Sequence, residues 1–314
     1  MSRILVTGGN GFIASYLVDA LVASGKHCIS VLDLRPRAYD ELPSGVMFVQ
    51  SSVRDIALIR SILQEQRIDV VYHMAWATIH ETALKDPVAD IEANLVPTIR
   101  LLEACRDVGV KRIIYLSSGG TVYGLPQILP VREDHPTRPI NAYGITKLAV
   151  EKYLKMYSHL YGLEYVIFRP SVPYGPRQNP HRRQGAVSVF TYHALRGEPV
   201  TIWGNGNNER DYFYVEDMIS ALVAALDLPF TSDPIFNLAG SQAYTLNQLV
   251  HTIENVLSVK MEICYESARN FDVPSLKLDT STALEKLGWK PLTPLSEGIR
   301  RTAEWIQSGL IKKV

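Results

Sequence analysis

The sequence predicts a doubly wound α/β fold, a parallel sheet covered by helices on both faces, continued by a smaller C-terminal α/β lobe. Three observations carry this expectation. Runs of four or five apolar residues recur through the first half, each followed by a longer stretch with helical periodicity. Such runs are strands buried on both faces, and right-handed crossovers through the helices keep them parallel. A glycine-rich turn joins the first run to the first helical stretch, and after Arg169 the chain turns abruptly rich in proline and glycine.

Taken in order, strands are expected over Arg3–Thr7, 28–34, 46–50, Val70–His73, 112–117 and 165–169, with helices over 14–24, 55–66, 87–108 and Ala142–Tyr161 between them. The segment 170–180 holds Pro170, Pro173, Gly175, Pro176 and Pro180 and cannot be helical. Beyond it come an amphipathic stretch over Ala186–Arg196, a strand over Val200–Trp203, a glycine turn at 204–206, a helix over 215–226 and a strand over 235–239. The remainder, 245–314, reads as two or three helices around a strand at 261–265. The expected division is residues 1–170 plus about 214–240 in a dinucleotide-binding domain, and 171–213 plus 241–314 in a second domain for the substrate.

Composition removes several classes of function. Of the 314 residues, 46% are hydrophobic and 20% charged, the range of an ordinary globular protein. Thirty-two basic residues balance 32 acidic ones, so no bulk field draws the chain to nucleic acid or an anionic membrane. No apolar run reaches the roughly 18 residues of a membrane span. The N-terminal Met1-Ser2-Arg3 leads straight into a short strand rather than a secretory signal. The cysteines, Cys28, Cys105 and Cys264, are odd in number and scattered, which argues against a disulfide framework or a zinc site and for a cytoplasmic location.

Two motifs carry chemistry. Gly8, Gly11 and Ala14 in Thr7-Gly8-Gly9-Asn10-Gly11-Phe12-Ile13-Ala14 have the spacing of a dinucleotide-binding turn. Backbone must approach a pyrophosphate closely there, and the helix start supplies N–H groups and partial positive charge. Asp33, at the end of the second strand, can accept both hydroxyls of an adenosine ribose and repel a 2′-phosphate, which favours NAD. Arg35 and Arg37 follow closely and leave NADP open. Asp55 is placed either to reach the adenine or to cap the next helix. The second motif is Tyr143-Gly144-Ile145-Thr146-Lys147, whose ends share one helix face. A phenol acting as base at neutral pH needs its pKa lowered by about three units, roughly 4 kcal/mol. One ammonium at about 4 Å supplies that much at an effective dielectric of about 20.

With these motifs in place the chain resembles an extended short-chain dehydrogenase/reductase of the nucleotide-sugar epimerase and dehydratase branch. The resemblance runs the full length and includes His73-Met74-Ala75, Asn94-Leu95-Val96-Pro97-Thr98, Ser117-Ser118-Gly119-Gly120-Thr121-Val122-Tyr123-Gly124, the segment from Arg210 to Asp217, and Leu287-Gly288-Trp289-Lys290-Pro291. The pattern is most like the UDP-glucose 4-epimerase group and its UDP-uronate relatives. The resemblance implies a Rossmann lobe binding NAD through Gly8, Gly11, Phe12, Ile13, Asp33, Asp55, Ala75, Asn94, Ser117, Tyr143 and Lys147. It implies a lobe for a nucleotide-diphosphate sugar, no metal, and a homodimer packed through the helices of 94–108 and Ala142–Tyr161.

Two positions depart from the family. Its catalytic Ser or Thr falls at Gly119, so Thr121, or else Ser118, is the candidate replacement. Val172 stands where the family has Asn, next to the sugar. The adjacent Asp-Glu of the 4,6-dehydratases and the Glu of the UDP-uronate decarboxylases are both absent from Gly120 and Thr121, which leaves reversible oxidation at one carbon without elimination. Arg210 and Arg269 match family positions that clamp the diphosphate, as planar guanidinium groups do well, or are surface ion pairs. Arg177, His181, Arg182 and Arg183 form a basic loop with no interleaved aromatics, a solvated face or a lid rather than a nucleic-acid surface. His73 reads as a packed structural residue, and Trp76 replaces a small residue with no evident reason. The expected activity is C4 epimerisation of a nucleotide sugar, with Tyr143 as base, Thr121 or Ser118 as its hydroxyl partner, and Lys147 depressing the phenol and holding the nicotinamide ribose. The alternatives are a 4-keto nucleotide-sugar reductase and a catalytically silent NAD-binding protein.

Overall fold

Residues 1–181, 185–231, 233–268 and 273–309 are described by a computed structural model of the chain. The elements run β1 (Arg3–Thr7), α1 (Phe12–Ala23), β2 (Cys28–Asp33), β3 (Met47–Gln50), α2 (Ile56–Glu65), β4 (Val70–His73), α3 (His80–Lys85), α4 (Pro87–Asp90), α5 (Val96–Val108), β5 (Arg112–Leu116), α6 (Gly119–Val122), α7 (Ala142–Tyr161), β6 (Glu164–Pro170) and β7 (Val172–Tyr174). They continue with α8 (Ala186–Arg196), β8 (Val200–Trp203), β9 (Glu209–Arg210), β10 (Tyr212–Tyr214), α9 (Val215–Ala224), β11 (Ile235–Leu238), β12 (Tyr244–Thr245), α10 (Leu246–Leu257), β13 (Ile263–Glu266), β14 (Ser275–Leu276), α11 (Ser281–Leu287) and α12 (Leu295–Gln307).

Seven strands form one sheet in the order β11-β6-β5-β4-β1-β2-β3, all parallel. Strand periodicity sends alternate side chains to opposite faces. Ile4 and Val6 pack with Leu17, Val18 and Leu21 of α1 and Met218 and Leu222 of α9. Leu5, between them, faces the other way, onto Ile59 and Ile62 of α2, Leu101 and Cys105 of α5, and Val150 and Leu154 of α7. This two-sided burial is what the unbroken apolar runs foretold. The order reverses between β1 and β4, and ligands of such sheets sit beyond the strand ends at that crevice.

Smaller strand pairs lie outside this sheet. β7 runs parallel to β10, β8 to β13, and β9 lies between β12 and β14. A separate core gathers Val187 and Phe190 of α8, Ile202, Leu249 and Ile253 of α10, and Leu295 and Ile299 of α12 around Tyr174 and Tyr214. The proline-rich segment after Arg169 is accordingly not helix, and it contributes β7.

One expected helix is broken. The stretch 87–108 is not continuous: α4 and α5 are joined by a π-turn over Ile91–Leu95. Pro97 has no N–H to offer the carbonyl four residues back, and the Val96 amide instead reaches Ile91.

Candidate active site

The glycine turn is closed by backbone. Gly8 has φ +69°, and a Cβ there would lie 2.7 Å from the Ala75 Cα and 2.8 Å from its nitrogen. Ala75, just after β4, is therefore pressed against the turn after β1. The Gly11 amide donates to the Gly8 carbonyl at 3.0 Å. Gly11 is also the N-cap of α1 and provides no side-chain cap. The first-turn amides at Phe12 and Ile13 have no acceptor within their own helix, so this end suits a pyrophosphate.

Asp33 stands at the mouth of that turn. Its carboxylate accepts from the Asn10 amide at 3.0 Å and the Arg35 amide at 3.1 Å. Burial raises its pKa, opposed by those same amides. The two arginines behind it differ. Arg35 is exposed, whereas Arg37 pairs with Asp19 at 2.6 Å and Asp40 at 3.3 Å, with its side chain 4% exposed. Arg37 is thus committed within the protein. Asp55 caps α2, accepting from the Leu58 amide at 3.1 Å.

The second motif lies at the start of α7, where the Asn141 side chain caps the helix by accepting from the Gly144 amide at 2.8 Å. Tyr143 is half-buried, flanked by the His80 ring at 4.7 Å and the Trp76 ring at 5.9 Å between centroids. One turn on, Lys147 is buried. Its Nζ donates to the Leu116 carbonyl at 2.8 Å and lies 3.6 Å from the Trp76 ring centroid and 5.7 Å from that of Tyr143. Burial, reinforced by the Asp90 carboxylate, pushes the Tyr143 phenol above its ordinary pKa. Burial pulls Lys147 down to about 7, with Asp90 and Glu151 opposing it. The expected depression of the phenol draws on Lys147 together with an oxidised nicotinamide; in the chain by itself desolvation is the larger effect. Both groups are desolvated, and desolvation favours the neutral form of each.

The hydroxyl candidates sit on α6. Ser118 is its N-cap, with its carbonyl accepting from the Thr121 and Val122 amides. The Thr121 hydroxyl makes a long 3.4 Å bond to that carbonyl. Thr121 packs directly on α7, since a Cβ at Gly144 would lie 3.0 Å from the Thr121 Cβ. At Gly119 a Cβ would come within 2.8 Å of the Arg169 carbonyl oxygen and 2.5 Å of Leu278 Cδ1. No side chain fits there without displacing backbone, so the glycine is a packing requirement of this chain.

Other candidates face inward. Asn94 accepts from the Ala77 amide at 2.8 Å and donates to Thr78 at 3.0 Å and Asp90 at 2.9 Å, tying the loop after β4 to the helix pair. Ser117 donates to Glu151 at 2.5 Å, and Glu151 pairs with Arg169 at 2.6 Å. His73, held neutral by burial that lowers its pKa to about 3, lies between the hydroxyls of Thr7 at 2.9 Å and Thr98 at 2.8 Å. It is the structural residue the sequence suggested. Arg210 is half-buried on β9 and donates to the Glu209 carbonyl at 2.7 Å. Arg269, like Arg182 and Arg183, lies outside the described residues. Arg177 is no solvated loop residue: it pairs with Asp19 at 2.7 Å and Asp40 at 2.9 Å and covers the Tyr16 ring.

Asp90 was missed in the sequence. It is fully buried and accepts from Thr146 of α7 at 2.5 Å, from Asn94, and from Thr78. The signal was present: Asp90, Asn94 and Thr98 recur every four residues, a polar stripe on a helix otherwise apolar toward the core.

A dinucleotide turn at the sheet's switch point, next to a Tyr–Lys pair one helical turn apart, defines an oxidoreductase-type site of the short-chain dehydrogenase kind. A sequence profile of the NAD dependent epimerase/dehydratase family matches residues 4–239, and the chain belongs to that family. It is 36% identical to a UDP-glucose 4-epimerase of Mycolicibacterium smegmatis, over 98% of this chain and 99% of the relative. Among solved structures it is similar to a UDP-glucose 4-epimerase of Thermotoga maritima with UDP-glucose, at a TM-score of 0.93 and 35% identity over 98% of this chain and 99% of that one. It is also similar to the Thermus thermophilus UDP-glucose 4-epimerase in complex with NAD, at a TM-score of 0.90 and 34% identity over 97% and 99%.

Proposed function

We propose that the protein interconverts the C4 epimers of a UDP-hexose through a transient 4-keto sugar, using NAD that it retains. The observation that carries this reading is the Tyr143–Lys147 pair at the switch point, beside an α6 segment with no carboxylate for an elimination. NAD is supported by the glycine turn, by Asp33 at the ribose position, and by the ion pairs that occupy Arg37. In this reading the amides of Gly11, Phe12 and Ile13 hold the pyrophosphate and Asp33 the adenosine ribose. Asp55 borders the adenine while capping α2. Ala75 closes the turn, and Asn94 and Ser117 fix the loops around the nicotinamide half.

When bound, NAD supplies a reversible hydride acceptor at sugar C4. Tyr143 takes the 4-hydroxyl proton and returns it once the keto sugar has presented its other face. Thr121, with Ser118 as the rival, donates a hydrogen bond to the sugar O4. Lys147 binds the nicotinamide ribose. Arg210 and Arg269 hold the diphosphate. Residues 1–170 with about 214–240 serve the cofactor, and 171–213 with 241–314 the sugar nucleotide. The carboxylate-free α6 segment suits both a 4-epimerase and a 4-keto reductase, and the test separates them.

We further infer a cytoplasmic homodimer. Free Cys28, Cys105 and Cys264 support the compartment. The dimer is supported by exposed apolar side chains on two neighbouring stretches: Leu84 of α3, Val88 of α4 and Ile91 of the π-turn, and Ile145, Met156 and Leu160 along α7.

The test is to incubate the purified protein, without added cofactor, with a panel of UDP- and GDP-sugars and follow C4 inversion by proton NMR. Inversion of a UDP-hexose, with NAD released on denaturation, is the expected result. A strict requirement for stoichiometric reduced cofactor would make it a reductase. No turnover and no NAD would leave the epimerase reading without support.

A further inference from the structure

Trp76 is the residue near the Tyr–Lys pair that the sequence left without a reason, and its surroundings supply one. Its indole face lies 3.6 Å from Lys147 Nζ, and its ring also meets Tyr143 at 5.9 Å and Tyr115 at 6.3 Å. An ammonium has three N–H bonds to place. The Leu116 carbonyl takes one at 2.8 Å. Among the described residues no carboxylate pairs directly with Nζ. The two nearby acids are already engaged, Asp90 by Thr78, Asn94 and Thr146, and Glu151 by Ser117 and Arg169.

We propose that Trp76 is a positioning residue whose indole face is the second ligand of the Lys147 ammonium, keeping the lysine charged and fixed beside Tyr143. This rests on the reading of Tyr143 and Lys147 as the proton-transfer pair. The physical ground is that an aromatic face attracts a cation and not a neutral amine, and does so most strongly where water is excluded. It therefore opposes the desolvation that draws Lys147 toward neutrality. The other groups facing the lysine are Asp90 from α4 and Glu151 from α7, which favour the ammonium through the field. Tyr143, Tyr115 of β5 and His73 of β4 are all held neutral by burial. A second observation is independent of the lysine. Among the described residues the indole N–H of Trp76 is buried with no acceptor, a cost that a residue kept only for packing avoids.

The experiment reads the lysine itself. Protein labelled with 13C at the lysine ε-carbon is titrated by NMR, with the Lys147 signal assigned by its loss in Lys147→Met. Trp76→Leu removes the face, Trp76→Phe restores a weaker one, and 5-fluorotryptophan weakens it with little change of shape. The Lys147 pKa is expected to fall by about one unit in Trp76→Leu, and by less with phenylalanine or the fluorinated ring. The alkaline limb of the rate profile should move down with it, since the charged lysine is then lost at lower pH. A Lys147 titration unchanged by fluorination and by either substitution overturns the proposal. Should Trp76→Leu fail to fold, the fluorinated protein decides alone. Because the titration does not depend on turnover, a Trp76-dependent pKa in a protein without epimerase activity would strike the functional reading and leave this one standing.

Discussion

In the proposed mechanism a sugar hydroxyl losing its proton to Tyr143 builds charge on O4, and a neighbouring hydroxyl acts as that charge develops. Thr121 is 3% exposed and packed against the glycine that follows Tyr143. Its own hydrogen bond is long, at 3.4 Å, and so easily exchanged. Thr121→Ala is expected to lower kcat by about a hundred-fold with little change in KM, and Thr121→Ser to keep most of the rate. Ser118→Ala should cost little, and the reverse pattern in steady-state kinetics would hand the role to Ser118. At this scale the sequence was informative where chemistry follows spacing. Tyr143 and Lys147, four apart on a helix, had to share a face, and Asp33 had to stand at a strand end. It was silent where chemistry follows burial. Nothing in the order of residues shows that desolvation pushes the phenol up and the lysine down, or that Trp76 covers the ammonium.

Between α6 and its neighbours the packing is backbone against backbone. Gly119 meets the Arg169 carbonyl and Gly144 meets the Thr121 carbonyl, so that a Cβ at either glycine would stand 2.8 Å from that oxygen. Leu278 can swing away from a side chain at position 119, but the carbonyl at the end of β6 cannot. Gly119→Ser is therefore expected to destabilise the fold by about 1–3 kcal/mol, seen in denaturant unfolding, without raising the rate. A variant as stable as the parent and faster would mean that a hydroxyl at this position does reach the sugar. The strands β1, β4 and β5 were legible because burial on two faces leaves continuous apolar runs. The break in 87–108 was not, because a π-turn leaves apolar residues on both sides of it and only Pro97 marks the place.

For the molecule as a whole, exposed apolar side chains on the α3–α4 stretch and on α7 are left to be covered, and in the proposed homodimer a second copy of the chain would cover them. Met156 and Leu160, 39% and 57% exposed, lie on α7 and away from Tyr143. Met156→Glu with Leu160→Glu should convert a dimer into a monomer in sedimentation equilibrium. A monomeric parent at micromolar concentration would contradict the dimer. The sequence indicated a second lobe from the change of texture at Pro170. It did not show how the parts are tied, because the ties are between residues far apart in the chain. Arg177 reaches Asp19 of α1, and the Thr282 hydroxyl of α11 donates to Glu133.

In the proposed reaction hydride leaves and returns to the same sugar carbon within one protein-bound cycle. UDP-glucose carrying deuterium at C4, incubated with the purified protein and no added cofactor and read by NMR and mass spectrometry, tests this. UDP-galactose with the deuterium still at C4 is expected, and no product from Tyr143→Phe. Product that has lost the deuterium to solvent, or turnover unaffected by Tyr143→Phe, would contradict it.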